Sequence, residues 1–329
     1  MDGLAITSPV PERRPSDAVS ALRFQERDGE ILRAVYRYDG VLAKRHIKGM
    51  FWPDASTRAM EMRLSTLYHQ AYLDWPNREQ WRTKPIPEAI CWLGWKGALW
   101  IAGDSKLEVE PPRTPNETQL RRLAAQLREH GIRWLREPRW SQLAHDLSVV
   151  DFRQAVEKAV NETPSLAFEE WIPEGVFLSN MDVVAYSVRD RKGSVKQQKR
   201  GVRPDGYFSI VDNRRHSQGL PARARFLLEL DMATHDTNSF FQEKVIAGVA
   251  YMRSPAYKAR FGHNSGRWLV VTTGEVRMKH LMRQTQQAVG ESASVFFFTT
   301  FEQVKTANVL TVPIWWQKEH EQPIPLFVT

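Results

Sequence analysis

From about residue 160 onward, short apolar runs of strand length alternate with amphipathic helical stretches, and this order limits the fold more than any other feature of the chain. Strands separated by helices pack as a sheet covered by those helices, so an α/β layer arrangement is expected. The runs fall at 165–172, 206–211, 224–231, 268–273 and 295–299, with helices expected over 242–252 and 275–289.

The first third of the chain reads differently. Ile31, Leu32, Val35 and Tyr36 recur at helical spacing, and Asp39-Gly40 supplies a stop. A second, short helix is expected over 41–48. A third, capped by Asp54 or Ser56 and running to about Tyr72, carries a core stripe of Met60, Leu64, Leu67 and Tyr68. Its other face holds Arg58, Met62, Ser65 and His69, with Thr57 in the first turn and Arg63 at the flank. After Trp75-Pro76 the pattern turns extended, and 89–93 reads as a strand ending at Gly94. Three helices followed by strands is the order of a winged helix-turn-helix, whose third helix enters the major groove of DNA. Ser56, Thr57, Arg58 and Ser65 are then the candidate DNA contacts. A plain three-helix domain with a hairpin is the structural alternative.

A chain of 329 residues exceeds one ordinary core. The expected division is a disordered lead-in over 1–26, the helical domain at 27–105, a linker with a connector helix at 106–139, and the α/β domain over 140–329. Pro9, Pro11 and Pro15 mark the lead-in, and Pro111, Pro112 and Pro115 mark the linker. Cys91 is the sole cysteine, which excludes an internal disulfide and a multi-cysteine zinc site and fits a buried residue in a reducing compartment. No apolar run reaches membrane-spanning length, so a cytoplasmic protein without a membrane partner is expected.

The 46 Lys and Arg residues against 38 Asp and Glu leave a net charge of +8, which favours polyanionic partners. The densest positive segment is 187–203, where Arg189, Arg191, Lys192, Lys196, Lys199, Arg200 and Arg203 face a single Asp190. It reads either as a solvated loop or as a loop that tracks phosphates, with Lys196, Lys199 and Arg200 as candidate DNA contacts.

The residues that carry chemistry are Pro204-Asp205-Gly206, then Glu229-Leu230-Asp231 at the end of an apolar strand, then a helix with Gln242, Glu243 and Lys244. Side chains two apart on a strand share a face, so Glu229 and Asp231 project together, and Asp205 on a neighbouring strand would complete a carboxylate cluster. Three such groups resist joint ionisation without a counter-charge, and Mg²⁺ held by Asp205, Glu229 and Asp231 is the expected answer. His145-Asp146 reads as a His-carboxylate pair or as helix packing. His216, His235 and His263 lack metal-ligand spacing, and the chain has no phosphate-binding loop of the Gly-x-x-x-x-Gly-Lys-Ser/Thr type.

This layout resembles the PD-(D/E)xK nuclease fold, with Pro-Asp on one strand and acid-x-Lys on the next. It departs from that pattern at Asp231, which stands where the lysine belongs, and Lys244 is the candidate replacement. The order of segments also resembles the replication-relaxation family. The resemblance rests on the Ile31-Leu32 helix, the 56–73 helix with Leu64-x-x-Leu67, Trp92-Leu93-x-x-Lys96-Gly97-Ala98 and His145-Asp146-Leu147. It continues through Arg203-Pro204-Asp205-Gly206, Leu228-Glu229-Leu230-Asp231 and the helix bearing Lys244 and Tyr251.

The family implies a winged helix-turn-helix followed by a restriction-endonuclease-like α/β domain that handles plasmid or mobile-element DNA. Asp205, Glu229, Asp231 and Lys244 would be its catalytic residues and double-stranded DNA its partner. Replication or mobilisation proteins and a second copy of the chain are further candidate partners. The alternative is a non-catalytic replication initiator or transcription regulator whose nuclease-like domain docks partners. An interaction protein without DNA affinity is a third reading.

Overall fold

The computed structural model describes residues 23–112, 115–189, 195–233 and 241–328, a mixed α/β protein that divides into two compact units, 1–150 and 151–329. The expected lead-in lies outside the described residues up to position 22, as do Arg191, Lys192 and His235, and the side chains of Arg189, Gln242 and Glu243. Among the described residues no helix is long and apolar enough to cross a membrane.

The first unit opens with α1 (Glu26–Arg37), which buries Ile31, Leu32 and Val35 completely. It ends where Asp39 and Gly40 adopt φ of 63° and 94°, the left-handed turn that an Asp-Gly pair accommodates. The helix expected over 41–48 starts instead as strand β1 (Val41–Ala43), followed by α2 (Lys44–Phe51). All three β1 residues are buried and pair antiparallel with β3 (Ile90–Leu93), so sheet pairing overrides the helical pattern there. Helix α3 (Thr57–His69) buries the expected Met60, Leu64, Leu67 and Tyr68. The other edge of β3 carries the two-residue β2 (Leu73–Asp74), giving the order β1-β3-β2.

One further expectation is corrected in this unit. The stretch after Trp75-Pro76 is not wholly extended, because Asn77 caps a short helix, α4 (Arg78–Thr83), by accepting from the Gln80 N–H at 2.8 Å. The strand ends at Gly94 as expected, and beyond it the chain forms α5 (Trp95–Asp104), whose Ala98, Ile101 and Ala102 enter the core. Gly97 permits this, since a Cβ there would collide with the Tyr72 carbonyl. Helices α6 (Glu117–Glu129) and α7 (Leu143–Asn161) follow, the latter belonging to this unit through residue 150. Cys91 is fully buried, and burial pushes its thiol up to about 12.

Asp74 makes the stability of this unit pH-dependent. Burial pushes its carboxyl up to about 6, against the pull of the Trp75 N–H, which donates to it at 2.8 Å, and Glu137 adds to the rise. Between about pH 4 and pH 6 the folded protein therefore holds a proton that the unfolded chain has released, so stability falls as pH rises through that window. Asp74→Asn is expected to remove this dependence and to stabilise the unit at pH 7.5 by roughly 2 kcal/mol. Urea titrations of both proteins at the two ends of the window check it, and parallel pH dependences would contradict it.

The second unit is built on a five-stranded sheet in the order β10-β9-β8-β7-β4. Strand β4 (Leu166–Pro173) is followed by α8 (Glu174–Ser179) and by a separate antiparallel pair, β5 (Asp182–Arg189) and β6 (Val195–Val202). The basic segment expected as a loop over 187–203 is thus largely strand. Alternate burial of Val184 and Tyr186 on β5 explains it, since period-two burial suits a strand.

Strands β7 (Gly206–Asp212) and β8 (Arg223–Asp231), separated by the short α9 (Asn213–Ser217), form an antiparallel meander with β4. A π-helical turn (Phe241–Ile246), α10 (Ala247–Met252) and α11 (Pro255–Phe261) then lead to β9 (Arg267–Thr272), parallel to β8. Helix α12 (Glu275–Val289) connects β9 to the parallel β10 (Phe296–Thr300), and α13 (Phe301–Thr306) follows. Phe226 to Asp231 and Trp268 to Thr272 are buried at every position, as befits central strands covered on both faces.

Candidate functional site

Pairing of Gly206 with Leu228 sets Pro204-Asp205 beside the row that carries Glu229. The Asp205 N–H donates to the Leu228 carbonyl at 2.9 Å, and its carboxylate accepts from the Leu230 N–H at 2.6 Å. Asp205 thus grips the β8 backbone on both sides of Glu229. Gly206 allows the approach, because the Trp171 indole on β4 lies 2.7 Å from where a Cβ would stand.

Lys244 reaches the same place from the π-turn, a distortion that re-aims side chains and recurs at functional sites. Its ammonium pairs with Glu229 at 2.9 Å and donates to the Arg203 carbonyl at 3.2 Å. Asp205 and Glu229 are 5% and 6% exposed, and the Lys244 side chain retains 29%. Burial alone would lower the Lys244 pKa, but the charges of Glu229 and Asp205 outweigh it and hold the pKa above its usual value.

Asp231 does not share this charge. Its carboxylate is held by both Nε and Nη2 of Arg277 on α12, the latter at 2.7 Å, and accepts from the Thr272 hydroxyl at 2.6 Å. Burial would raise its pKa, yet Arg277 and Thr272 hold it below the usual carboxylate range. The expected gathering of three carboxylates is therefore not what forms: among the described residues no three Asp, Glu, His or Cys side chains are grouped to hold one ion. Arg277 went unnoticed in the sequence, where nothing distinguishes it from any other arginine on an amphipathic helix.

On α3 the structure divides the expected DNA contacts by task. The Ser56 hydroxyl accepts from the Ala59 N–H at 3.4 Å as the helix cap. Thr57, Arg58 and Met62 are exposed and Ser65 is half-buried on the same side. Arg63 is turned inward, its guanidinium held by the fully buried Asp28 of α1. Lys196, Lys199 and Arg200 are exposed along β6. His145 lies 3.7 Å from Asp146, whose carboxylate is engaged by Arg139 at 2.5 Å.

A family model described as replication-relaxation matches residues 32–264, a span that includes α3, Asp205, Glu229, Asp231 and Lys244 and ends before Arg277. Among curated proteins, no sequence matches the chain.

Proposed function

The chain belongs to the replication-relaxation family, and from that premise we propose that it binds duplex DNA of a plasmid or mobile element and nicks it with a metal-dependent site in the second unit. The observation that carries this reading is the convergence of Asp205, Glu229 and Lys244 from the head of β7, the end of β8 and the π-turn. Pro-Asp on one strand and an acidic residue on its hydrogen-bonded neighbour is the placement that the PD-(D/E)xK pattern requires.

Two buried carboxylates suit Mg²⁺, which takes one or two such ligands and completes its shell with waters and substrate phosphate oxygens. Asp205 and Glu229 are the residues that would hold it. When bound, such an ion polarises a phosphodiester and activates water. Lys244 stays protonated at neutral pH, so it stabilises charge on a phosphate and does not act as a base. The position of the motif's lysine is filled by an Asp231–Arg277 pair, which leaves a guanidinium near the place where an ammonium is usual.

In the first unit, the order α1-β1-α2-α3-β2-α4-β3, with both short strands pairing antiparallel to β3, supports a winged helix-turn-helix with α3 as the recognition helix. Thr57 and Arg58 would meet phosphates or base edges. Replication or mobilisation proteins and a second copy of the chain are the further partners of this reading.

Supercoiled plasmid incubated with the protein and Mg²⁺ or Mn²⁺ is expected to relax, and Asp205→Ala to abolish relaxation while leaving a gel shift intact. Intact, shifted plasmid with both proteins would instead support the second reading, a DNA-binding initiator or regulator on an inactive nuclease scaffold. The engagement of Asp231 by Arg277 is the observation that favours it. Arg58→Ala is expected to weaken the shift about 10-fold, the loss of one phosphate or base contact. Undiminished binding would remove α3 from the interface.

A further inference from the structure

Arg203 leads into Pro204-Asp205 and borders the acid–lysine group. Its carbonyl accepts from Lys244 at 3.2 Å, and its side chain keeps 43% exposure. Its ion-pair partner is Glu174, the first residue of α8, whose side chain is only 11% exposed. Pairing of Pro173 with Gly206 brings Glu174 to the end of the sheet that carries Asp205.

The form of this contact differs from that of other arginine–carboxylate pairs in the chain. Arg33 on Asp104, Arg139 on Asp146 and Arg277 on Asp231 each donate through both Nε and Nη2, the fork that a planar two-oxygen anion satisfies. Arg203 makes no such fork. Its closest approach to Glu174 is Nε to Oε1 at 3.2 Å, and among the described residues its guanidinium donates no hydrogen bond. Glu174 therefore fixes where the guanidinium sits and leaves its donors unused.

The surrounding charge gives those donors a use. The buried Asp205 and Glu229 repel a phosphate, and Lys244 offsets them only in part, since it is already engaged by Glu229 and by the Arg203 carbonyl. Arg203 in turn opposes the charge on Lys244, so two cations are held near each other at one place. An anion touching both relieves that repulsion, and a phosphodiester offers the paired oxygens that a guanidinium fork grips.

We infer that Arg203 is a phosphate contact of the candidate nuclease site, gripping a backbone phosphate of bound duplex DNA through its guanidinium while Glu174 anchors it. This rests on the DNA-binding reading above and adds to it a cation beyond the residues of the acid–lysine group.

The test is fluorescence anisotropy of the full chain with a labelled mixed-sequence duplex of about three helical turns, titrated over a range of KCl without divalent metal. Arg203→Gln is expected to reduce the slope of log affinity against log salt by about 1 and affinity at low salt about 10-fold. Arg203→Lys should keep the slope, because the charge remains, and lose a few-fold in affinity, because the fork is gone. Lys305→Gln makes the same change of net charge at an exposed position of α13 and should leave the slope at the parent value. A slope unchanged by Arg203→Gln, with Arg58→Ala still weakening binding, would overturn the phosphate contact while sparing the DNA-binding reading. Equal losses in Arg203→Gln and Lys305→Gln would overturn it too, as an effect of net charge alone. Absence of binding by the unaltered chain would overturn both. Circular dichroism of Arg203→Gln should match the parent, because the side chain is not in the core.

Discussion

Replacing Arg63 with alanine is expected to destabilise the first unit by about 3–5 kcal/mol, the effect of stranding a buried carboxylate without its partner. Asp28 has no exposed surface, and its two oxygens serve the Gln25 N–H at 2.7 Å and the Arg63 guanidinium, whose Nε donates at 2.7 Å. Arg63 also donates to the Arg23 carbonyl at 3.0 Å, so one side chain ties α3 to the start of α1. Loss of that tie frees the helix proposed to meet DNA from its own scaffold. The melting temperature should fall on the order of 10 °C, and DNA binding should fall with it. The double variant Asp28→Leu/Arg63→Met should recover most of the stability, since an apolar pair carries no desolvation penalty. A single variant as stable as the parent would show that the pair contributes nothing to holding α3.

The second large effect concerns Lys244. Lys244→Met leaves Asp205 and Glu229 buried with their shared counter-charge removed, and a loss of about 3–4 kcal/mol is expected in Mg²⁺-free buffer near neutral pH. Two recoveries follow from the geometry. Adding Glu229→Gln should restore much of the loss, because the amide needs no cation. Millimolar Mg²⁺ should also restore it if the two carboxylates bind the ion, because a ligand that binds only the folded state stabilises it by mass action. Nicking should be lost in the single variant even with Mg²⁺ present, as the cation proposed to stabilise charge on the phosphate is gone. Stability that Mg²⁺ does not move, in a variant rescued by Glu229→Gln, would mark the group as a structural ion pair.

These two predictions turn on contacts of different legibility. Period and punctuation are written in consecutive residues, so the strands at 206–211, 224–231 and 268–273, the helix at 275–289, and the buried stripe of α3 were readable from the chain. Pro204-Asp205 and Glu229-x-Asp231 stood out for the same reason: each is a local pattern at the end of an apolar run. Where local pattern and sheet pairing disagreed, pairing won, as at Val41–Ala43, whose burial against β3 outweighs a helical spacing.

By itself, then, the sequence determined the α/β class, the core positions and the acidic residues around which a site could form, because burial and periodicity depend on neighbours in the chain. The tertiary structure alone decided how the charges pair. Asp28 meets Arg63 across 35 positions and Asp231 meets Arg277 across 46. Whether a carboxylate is left to a ligand or taken by an arginine depends on a few ångströms of approach between distant elements, and on the π-turn that carries Lys244 to Glu229. Hydrogen bonds and ion pairs fade beyond about 4 Å, and no spacing along one strand encodes such a distance to another.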